Sequence, residues 1–95
     1  MTMLMHPVHP GEILLHEFLI PLDMSAGRLA KRLGVPRTRI ERLVKQDTAM
    51  TPDTAMRLSR FFGNSVEFWM NLQTNHDVAY ARRNIDVSHI EPLHA

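Results

Sequence analysis

Basic and polar side chains cluster in one short segment near the middle of the chain. The segment contains Arg37, Thr38, Arg39, Arg42, Lys45 and Gln46. Arginine pairs with guanine edges or phosphates, lysine with phosphates, and threonine with either a base edge or a phosphate. If the segment is helical, most of these side chains lie opposite an apolar stripe of Ile40, Leu43 and Val44. The pattern predicts a helix that packs on one side and enters a DNA major groove with the other.

The distribution of charge agrees with a polyanionic partner. The chain has 95 residues and a net charge of only +1, but residues 25–60 hold nine basic side chains against three acidic ones. The segments before and after this stretch are net acidic. A basic middle between acidic ends is typical of a small domain with one polyanion-binding face. A basic face that is merely solvated would have the same composition, so charge alone leaves both interpretations open.

Other kinds of chemistry have little support. The absence of cysteine excludes disulfides, thiolate zinc sites and cysteine nucleophiles. The six histidines have no metal-binding helical spacing, and we expect no metal and no cofactor. Ser25, His16 and Asp23 are the residue types of a hydrolase, but Ser25 is explained as a helix cap, so we expect no enzyme. There is no export signal and no apolar run of about 20 residues, which predicts a cytoplasmic protein.

Proline, glycine and capping residues predict five helices and no strands. The first runs from Pro10 to about Ile20, and its buried face is Leu14, Leu15, Phe18 and Leu22. The other helices are predicted at residues 25–33, 36–45, 51–63 and about 65–83, the last capped by Asn64. Residues 1–8 are predicted to be a flexible N-terminus, residues 9–84 the domain, and residues 85–95 a C-terminal tail.

The second and third predicted helices are joined by a tight turn at Gly34. Two short helices with such a turn are typical of a helix-turn-helix, here at about residues 25–45. Ser25 and Arg28 then lie at the start of the second helix, where backbone N–H groups and a guanidinium would hold a DNA phosphate. An ordinary antiparallel helix pair with a charged outer face is the alternative.

Four motifs resemble those of a known family. They are HPGEIL at residues 9–14, LAKRLGVPRTRI at 29–40, TPDTAMRL at 51–58 and EFWMNLQ at 67–73. Their order and spacing resemble those of HigA-type antitoxins, within the lambda-repressor-like (XRE) helix-turn-helix class. One departure is Ala26, because many members have a phosphate-binding glutamine directly after the capping serine.

The resemblance implies a five-helix lambda-repressor-like DNA-binding domain and two activities. Such antitoxins bind operator DNA as dimers, at an inverted repeat, and repress their own operon. They also neutralise a small, basic, mRNA-cleaving toxin of the RelE-like type, here a HigB-type partner. The alternatives are a stand-alone helix-turn-helix repressor without a toxin, and a protein-interaction module whose basic face binds an acidic partner.

Two further surfaces are predicted from apolar residues outside the inner stripes. On the fifth helix, Val66 and Met70 lie opposite the residues predicted to be buried, and the tail adds Val87 and Ile90 at a spacing of three. These four are the predicted dimer interface. On the first helix, Ile13 and Ile20 with the acidic Glu17 are predicted to bind the toxin, because an acidic rim around apolar anchors suits a basic partner.

Overall fold

In the computed structural model, which describes residues 8–94, all regular secondary structure is helical. Helix α1 (Pro10–Ile13) continues directly into a π-helical segment (Leu14–Leu19), and is followed by α2 (Ala26–Leu33), α3 (Arg37–Val44), α4 (Pro52–Phe62) and α5 (Val66–Asn84). Residues 85–94 extend beyond α5 without regular structure. The predicted all-α, five-helix architecture is confirmed. The predicted flexible N-terminus, except for residue 8, lies outside the described residues.

Local capping chemistry sets most of the helix ends. Ser25 Oγ accepts a hydrogen bond from the N–H of Arg28 at 3.1 Å, and Thr51 Oγ1 accepts one from Thr54 at 3.3 Å. Gly34 and Gly63 end α2 and α4 with φ angles of 74° and 77°, in the left-handed region that favours glycine. These are the stop and start signals visible in the sequence, and they act as predicted.

The start of α5 differs from the prediction. Ser65, not Asn64, caps this helix, because its Oγ accepts a hydrogen bond from the N–H of Phe68 at 3.0 Å. The Asn64 side chain instead accepts a hydrogen bond from Trp69 Nε1 at 3.0 Å. Trp69 is completely buried, so this bond satisfies the one polar group that the indole carries into the core.

The prediction for the buried face of the first helix is partly wrong. Leu14 and Leu19 are 0% and 1% exposed, whereas Leu22 is 56% exposed. The cause is the π-helical segment, in which the N–H of Ile20 bonds the carbonyl of Leu15, five residues earlier. This wider turn places residues five apart on one face, so the periodicity of an ordinary α-helix does not apply.

Helix α1 lies directly on the backbone at the end of α3. A Cβ atom added to Gly11 would lie 1.7 Å from the carbonyl oxygen of Leu43. His9 caps α1, since its Nδ1 accepts a hydrogen bond from the N–H of Gly11 at 2.9 Å. The Pro10 ring follows at the first helical position and is buried. The contact at Gly11 therefore packs the first helix against the helix that carries the basic side chains.

Helix α5 fixes the loop between α3 and α4. Gln73 is 6% exposed, and its Oε1 accepts a hydrogen bond from the N–H of Met50 at 2.6 Å. Its Nε2 donates to Asp77 Oδ1 at 2.8 Å. A buried amide with both ends bonded holds the Met50 side chain, itself 2% exposed, in the core.

Candidate nucleic-acid interface

Helices α2 and α3 form a helix-turn-helix. After the left-handed Gly34, the N–H of Val35 bonds the carbonyl of Ala30 at 3.0 Å, which closes the end of α2. Pro36 is extended and serves as the N-cap of α3. Only three residues therefore separate the two helices, and α3 packs closely against α2. The predicted helix-turn-helix is present, with α3 starting one residue later than expected.

The outer face of α3 and the loop that follows it present the predicted basic and polar residues. All six side chains are exposed: Arg37, Thr38, Arg39, Arg42, Lys45 and Gln46. The opposite face is anchored in the core, with Ile40 and Leu43 at 0% and 2% exposure. Within residues 8–94, Arg42 and Lys45 form no ion pair and so are available to an external anion. This is the surface a recognition helix requires.

The N-terminus of α2 lies beside the start of α3. Ser25 and Arg28 are both exposed, in the first turn of α2. A Cβ atom on Gly27 would lie 2.8 Å from Arg37 Cδ, so the stem of Arg37 passes over the beginning of α2. Arg37 Nε also pairs with Glu41 Oε2 at 3.3 Å. The structure therefore brings the predicted phosphate-binding residues of α2 next to those of α3.

Helix α4 contributes two residues that the sequence interpretation missed. Asp53 Oδ1 accepts hydrogen bonds from Arg39 Nη1 at 2.6 Å and from Arg57 Nε at 2.8 Å. Arg57 Nη1 donates in turn to the carbonyl of Leu33, at the end of α2, at 2.8 Å. These bonds, from Arg57 first and Arg39 second, lower the pKa of Asp53 below its ordinary value. The i, i+4 spacing of Asp53 and Arg57 was the only visible signal.

A groove with several polar side chains in its lining runs between α3 and the start of α4. It has a volume of about 470 Å³, and its lining includes Thr38, Arg39, Arg42, Thr48, Thr51 and Asp53. Hydroxyl and guanidinium groups are the donors that bind phosphate oxygens and base edges. The groove therefore continues the α3 surface toward the α3–α4 loop.

The other predicted surfaces are only partly exposed. Val66 and Met70 are half-buried and pack against the core of their own chain, whereas Val87 and Ile90 are 60% and 62% exposed. Their role in a dimer stays a prediction, and only the tail residues are openly available for it.

The surface predicted to bind the toxin is also only partly exposed in the structure. Ile13 is half-buried and packs against the core, so the expected exposed pair with Ile20 does not form. The reason is that the Ile13 side of α1 packs against the core of the same chain and does not face the solvent. Ile20 is 59% exposed and Glu17 is exposed, and their role in toxin binding stays a prediction.

The described residues 8–94 contain no cluster of three or more His, Asp or Glu side chains that could hold a metal ion and no helix long and apolar enough to span a membrane. His9 and His76 do meet, with ring centroids 5.0 Å apart, but His9 is used as a helix cap. Burial and the neighbouring His76 lower the pKa of His9 below 6.5.

Comparison with known proteins identifies the family. The family described as Helix-turn-helix matches residues 15–69. The Pseudomonas aeruginosa antitoxin HigA, solved with the higBA promoter, is 42% identical with a TM-score of 0.85, covering 93% of this chain and 99% of that chain. The chain belongs to the HigA-type antitoxin family.

Two further proteins are similar to this chain over most of its length. Virulence-associated protein I of Dichelobacter nodosus is 44% identical over 80 residues, which are 84% of this chain and 74% of the relative. Antitoxin GraA, solved in complex with its operator, is 38% identical with a TM-score of 0.79, covering 83% of this chain and 80% of that chain. The family is one of DNA-binding regulators.

Proposed function

We propose that this HigA-type chain is a cytoplasmic antitoxin that binds operator DNA as a dimer, represses its own operon and neutralises a RelE-like, mRNA-cleaving toxin of the HigB type. The observation that carries DNA binding is the α3 surface, with its basic residues exposed and Ile40 and Leu43 buried beneath them. The two similar antitoxins solved with a promoter or an operator support the same assignment.

In this proposal α3 enters the major groove. Thr38, Arg39 and Arg42 face base edges, and Arg37, Lys45 and Gln46 lie nearer the phosphates. Ser25 and Arg28, at the start of α2, meet the backbone on the other side. Ala26 stands where many relatives have a glutamine, so Arg28 is the side chain left to contact that phosphate.

Substitution of Arg42 and Lys45 tests this binding mode. Arg42→Ala should weaken operator binding by about 1–3 kcal/mol and relax the preference at one base pair, because a guanine contact is lost. Lys45→Ala should weaken all DNA sequences alike and make the salt dependence of binding less steep by about one unit of slope. Fluorescence anisotropy on operator and random duplexes at several salt concentrations measures both. Operator binding that is indifferent to both changes would contradict α3 as the recognition helix.

The proposed dimer uses the exposed end of α5 and the tail. Large apolar side chains accumulate there, with Val78 41%, Ile85 60%, Val87 60% and Ile90 62% exposed. Such a concentration of exposed apolar surface is typical of an interaction site. A two-fold dimer should bind an inverted repeat with half-sites about 10 base pairs apart, or a multiple of one helical turn. Sedimentation of Val87→Asp with Ile90→Asp should show a monomer where the unmodified chain is a dimer.

The proposed toxin surface is centred on Ile20 and Glu17. Ile20→Asp should reduce capture of the toxin while leaving operator binding intact, because α3 lies elsewhere. Met56→Asp is a matched control, since Met56 is 61% exposed and belongs to α4. Co-expression with the neighbouring reading frame, followed by co-purification, measures capture. If no small basic ribonuclease is encoded beside the gene, the stand-alone repressor is the better description.

A further inference from the structure

Four polar groups from three helices form one chain of hydrogen bonds beside the recognition helix. It begins at the Leu33 carbonyl, at the end of α2, passes through Arg57 and Asp53 of α4, and ends at Arg39 of α3. Its heavy-atom distances are 2.8, 2.8 and 2.6 Å. We call this set of side chains, Arg57, Asp53 and Arg39, the arginine clamp.

The position of Asp53 is itself well determined. Thr51 caps α4, Pro52 occupies the first helical position, and Asp53 follows in the first turn. A carboxylate there is favoured by the positive end of the helix dipole. An acid four residues before an arginine is also the favourable order for an ion pair on a helix. Asp53 is therefore held from its own helix before it contacts α3.

An arginine on a recognition helix can bind two kinds of hydrogen-bond acceptor on DNA. It can donate two hydrogen bonds to the edge of a guanine, and this contact depends on the DNA sequence. It can also turn toward a phosphate, and that contact does not depend on the sequence. Both partners are within reach of a long, mobile side chain, and the phosphates are more numerous. A carboxylate that holds one edge of the guanidinium restricts its directions and repels phosphates from the same corner.

We propose that Asp53, anchored by Arg57, is a specificity-determining positioning residue that directs Arg39 toward a base edge and away from the phosphate backbone. This inference rests on the proposed DNA binding, and extends it to residues of α4 outside the helix-turn-helix. The clamp carries one net positive charge, because one carboxylate is shared by two guanidiniums. The lowered pKa of Asp53 keeps that carboxylate charged throughout the neutral range.

The proposal makes an unusual prediction for Asp53→Ala. Removal of the carboxylate releases two arginines, so binding to random DNA should become tighter and its salt dependence steeper. The ratio of operator to random affinity should nevertheless fall by about tenfold, which corresponds to about 1.4 kcal/mol. A residue that only stabilised the fold would weaken both kinds of binding together.

Two further variants separate positioning from charge. Glu41→Ala is the matched control, because Glu41 also pairs with an arginine of α3, Arg37, and its removal changes the net charge by the same amount. Arg57→Lys keeps the charge but cannot bond Asp53 and the Leu33 carbonyl together in the same way. We expect Glu41→Ala to leave the affinity ratio within about twofold, and Arg57→Lys to lower it several-fold.

The experiment begins by selecting a preferred sequence for the unmodified chain from a random duplex library. Affinities for that sequence and for random duplexes are then measured for each variant, after circular dichroism has shown that it folds. Loss of preference at one base pair in Asp53→Ala, together with tighter random binding, supports the proposal. An unchanged affinity ratio in Asp53→Ala, or an equal fall in Glu41→Ala, overturns it. A wild-type ratio in Arg57→Lys overturns the anchoring role. If the unmodified chain selects no sequence, the proposed function fails, and this inference with it.

Discussion

Of the four glycines, Gly11 leaves the least room for a side chain. An added Cβ atom would lie 1.7 Å from the carbonyl oxygen of Leu43 and 2.7 Å from its carbonyl carbon. An ordinary carbon–oxygen contact is about 3.3–3.6 Å, so α1 would have to move by roughly 1.5 Å or more. The obstacle is backbone, which cannot rotate away. Gly11→Ala should therefore destabilise the fold by about 3 kcal/mol, at the upper end of the range for overpacking.

Gly27→Ala is the matched control, because Gly27 is also the second residue of its helix. There the added Cβ would meet Arg37 Cδ at 2.8 Å and Cγ at 3.4 Å, and that flexible, exposed side chain can move aside. The gain in helix propensity on replacing glycine with alanine is up to about 1 kcal/mol. We expect Gly27→Ala to change the free energy of unfolding by less than about 1 kcal/mol.

Thermal and urea unfolding measure the difference. For a domain of this size, 1 kcal/mol corresponds to about 4–8 °C in Tm, so Gly11→Ala should lower the Tm by roughly 10–25 °C. Gly27→Ala should remain within a few degrees. Equal stability of the two variants would refute the argument that α1 lies on the α3 backbone.

Three other predictions concern single contacts. Gln73→Leu leaves the buried N–H of Met50 without its acceptor, which should cost about 1–3 kcal/mol in urea unfolding and remove the hydrogen-exchange protection of that amide. His9 caps α1 only when Nδ1 is unprotonated, and its pKa is below 6.5, so the unfolded chain binds more protons below that pH. The free energy of unfolding should therefore be largest above pH 6.5 and should fall as the pH drops through the lowered pKa of His9 in the folded chain. The His9→Asn variant caps α1 without titrating, so its Tm should fall less between about pH 8 and about pH 5. Gly63→Ala should cost about 1–2 kcal/mol from its φ of 77° alone, because no described atom crowds the position, and Gly63→Asn should cost less in the same unfolding assay.

The sequence predicted those parts of the fold that depend on local chemistry. Gly34 and Gly63 must be left-handed to end their helices, and Ser25 and Thr51 have the short oxygen-bearing side chains that caps require. The π-helical segment has no such local signal. With this segment Leu14 and Leu19, five residues apart, both lie in the core, which an α-helical repeat does not predict.

The candidate site also combines features that local sequence predicts with features that depend on tertiary packing. The helical spacing of the basic and polar residues on α3 places them on one face, so this face could be predicted from the sequence. The ion pair between Arg39 and Asp53 joins residues 14 apart on different helices, and depends on how α4 crosses the end of α2. The role of Gln73 was missed for a similar reason, because an amide on a polar helix gives no sign that its partner is a loop N–H.

These longer-range contacts matter because α3 has only eight residues. An isolated helix shorter than about 12–15 residues is marginal in water, so the order of α3 must come from its neighbours. Gly11 allows α1 to lie against the last turn of α3, Asp53 holds Arg39 near the start of α3, and Gln73 fixes the loop that follows α3. Loss of any of these contacts would leave the DNA-facing side chains chemically intact but less well ordered before binding. The ordering would then have to occur on the DNA, so substitutions in α1 and α5 should weaken operator affinity without touching the operator.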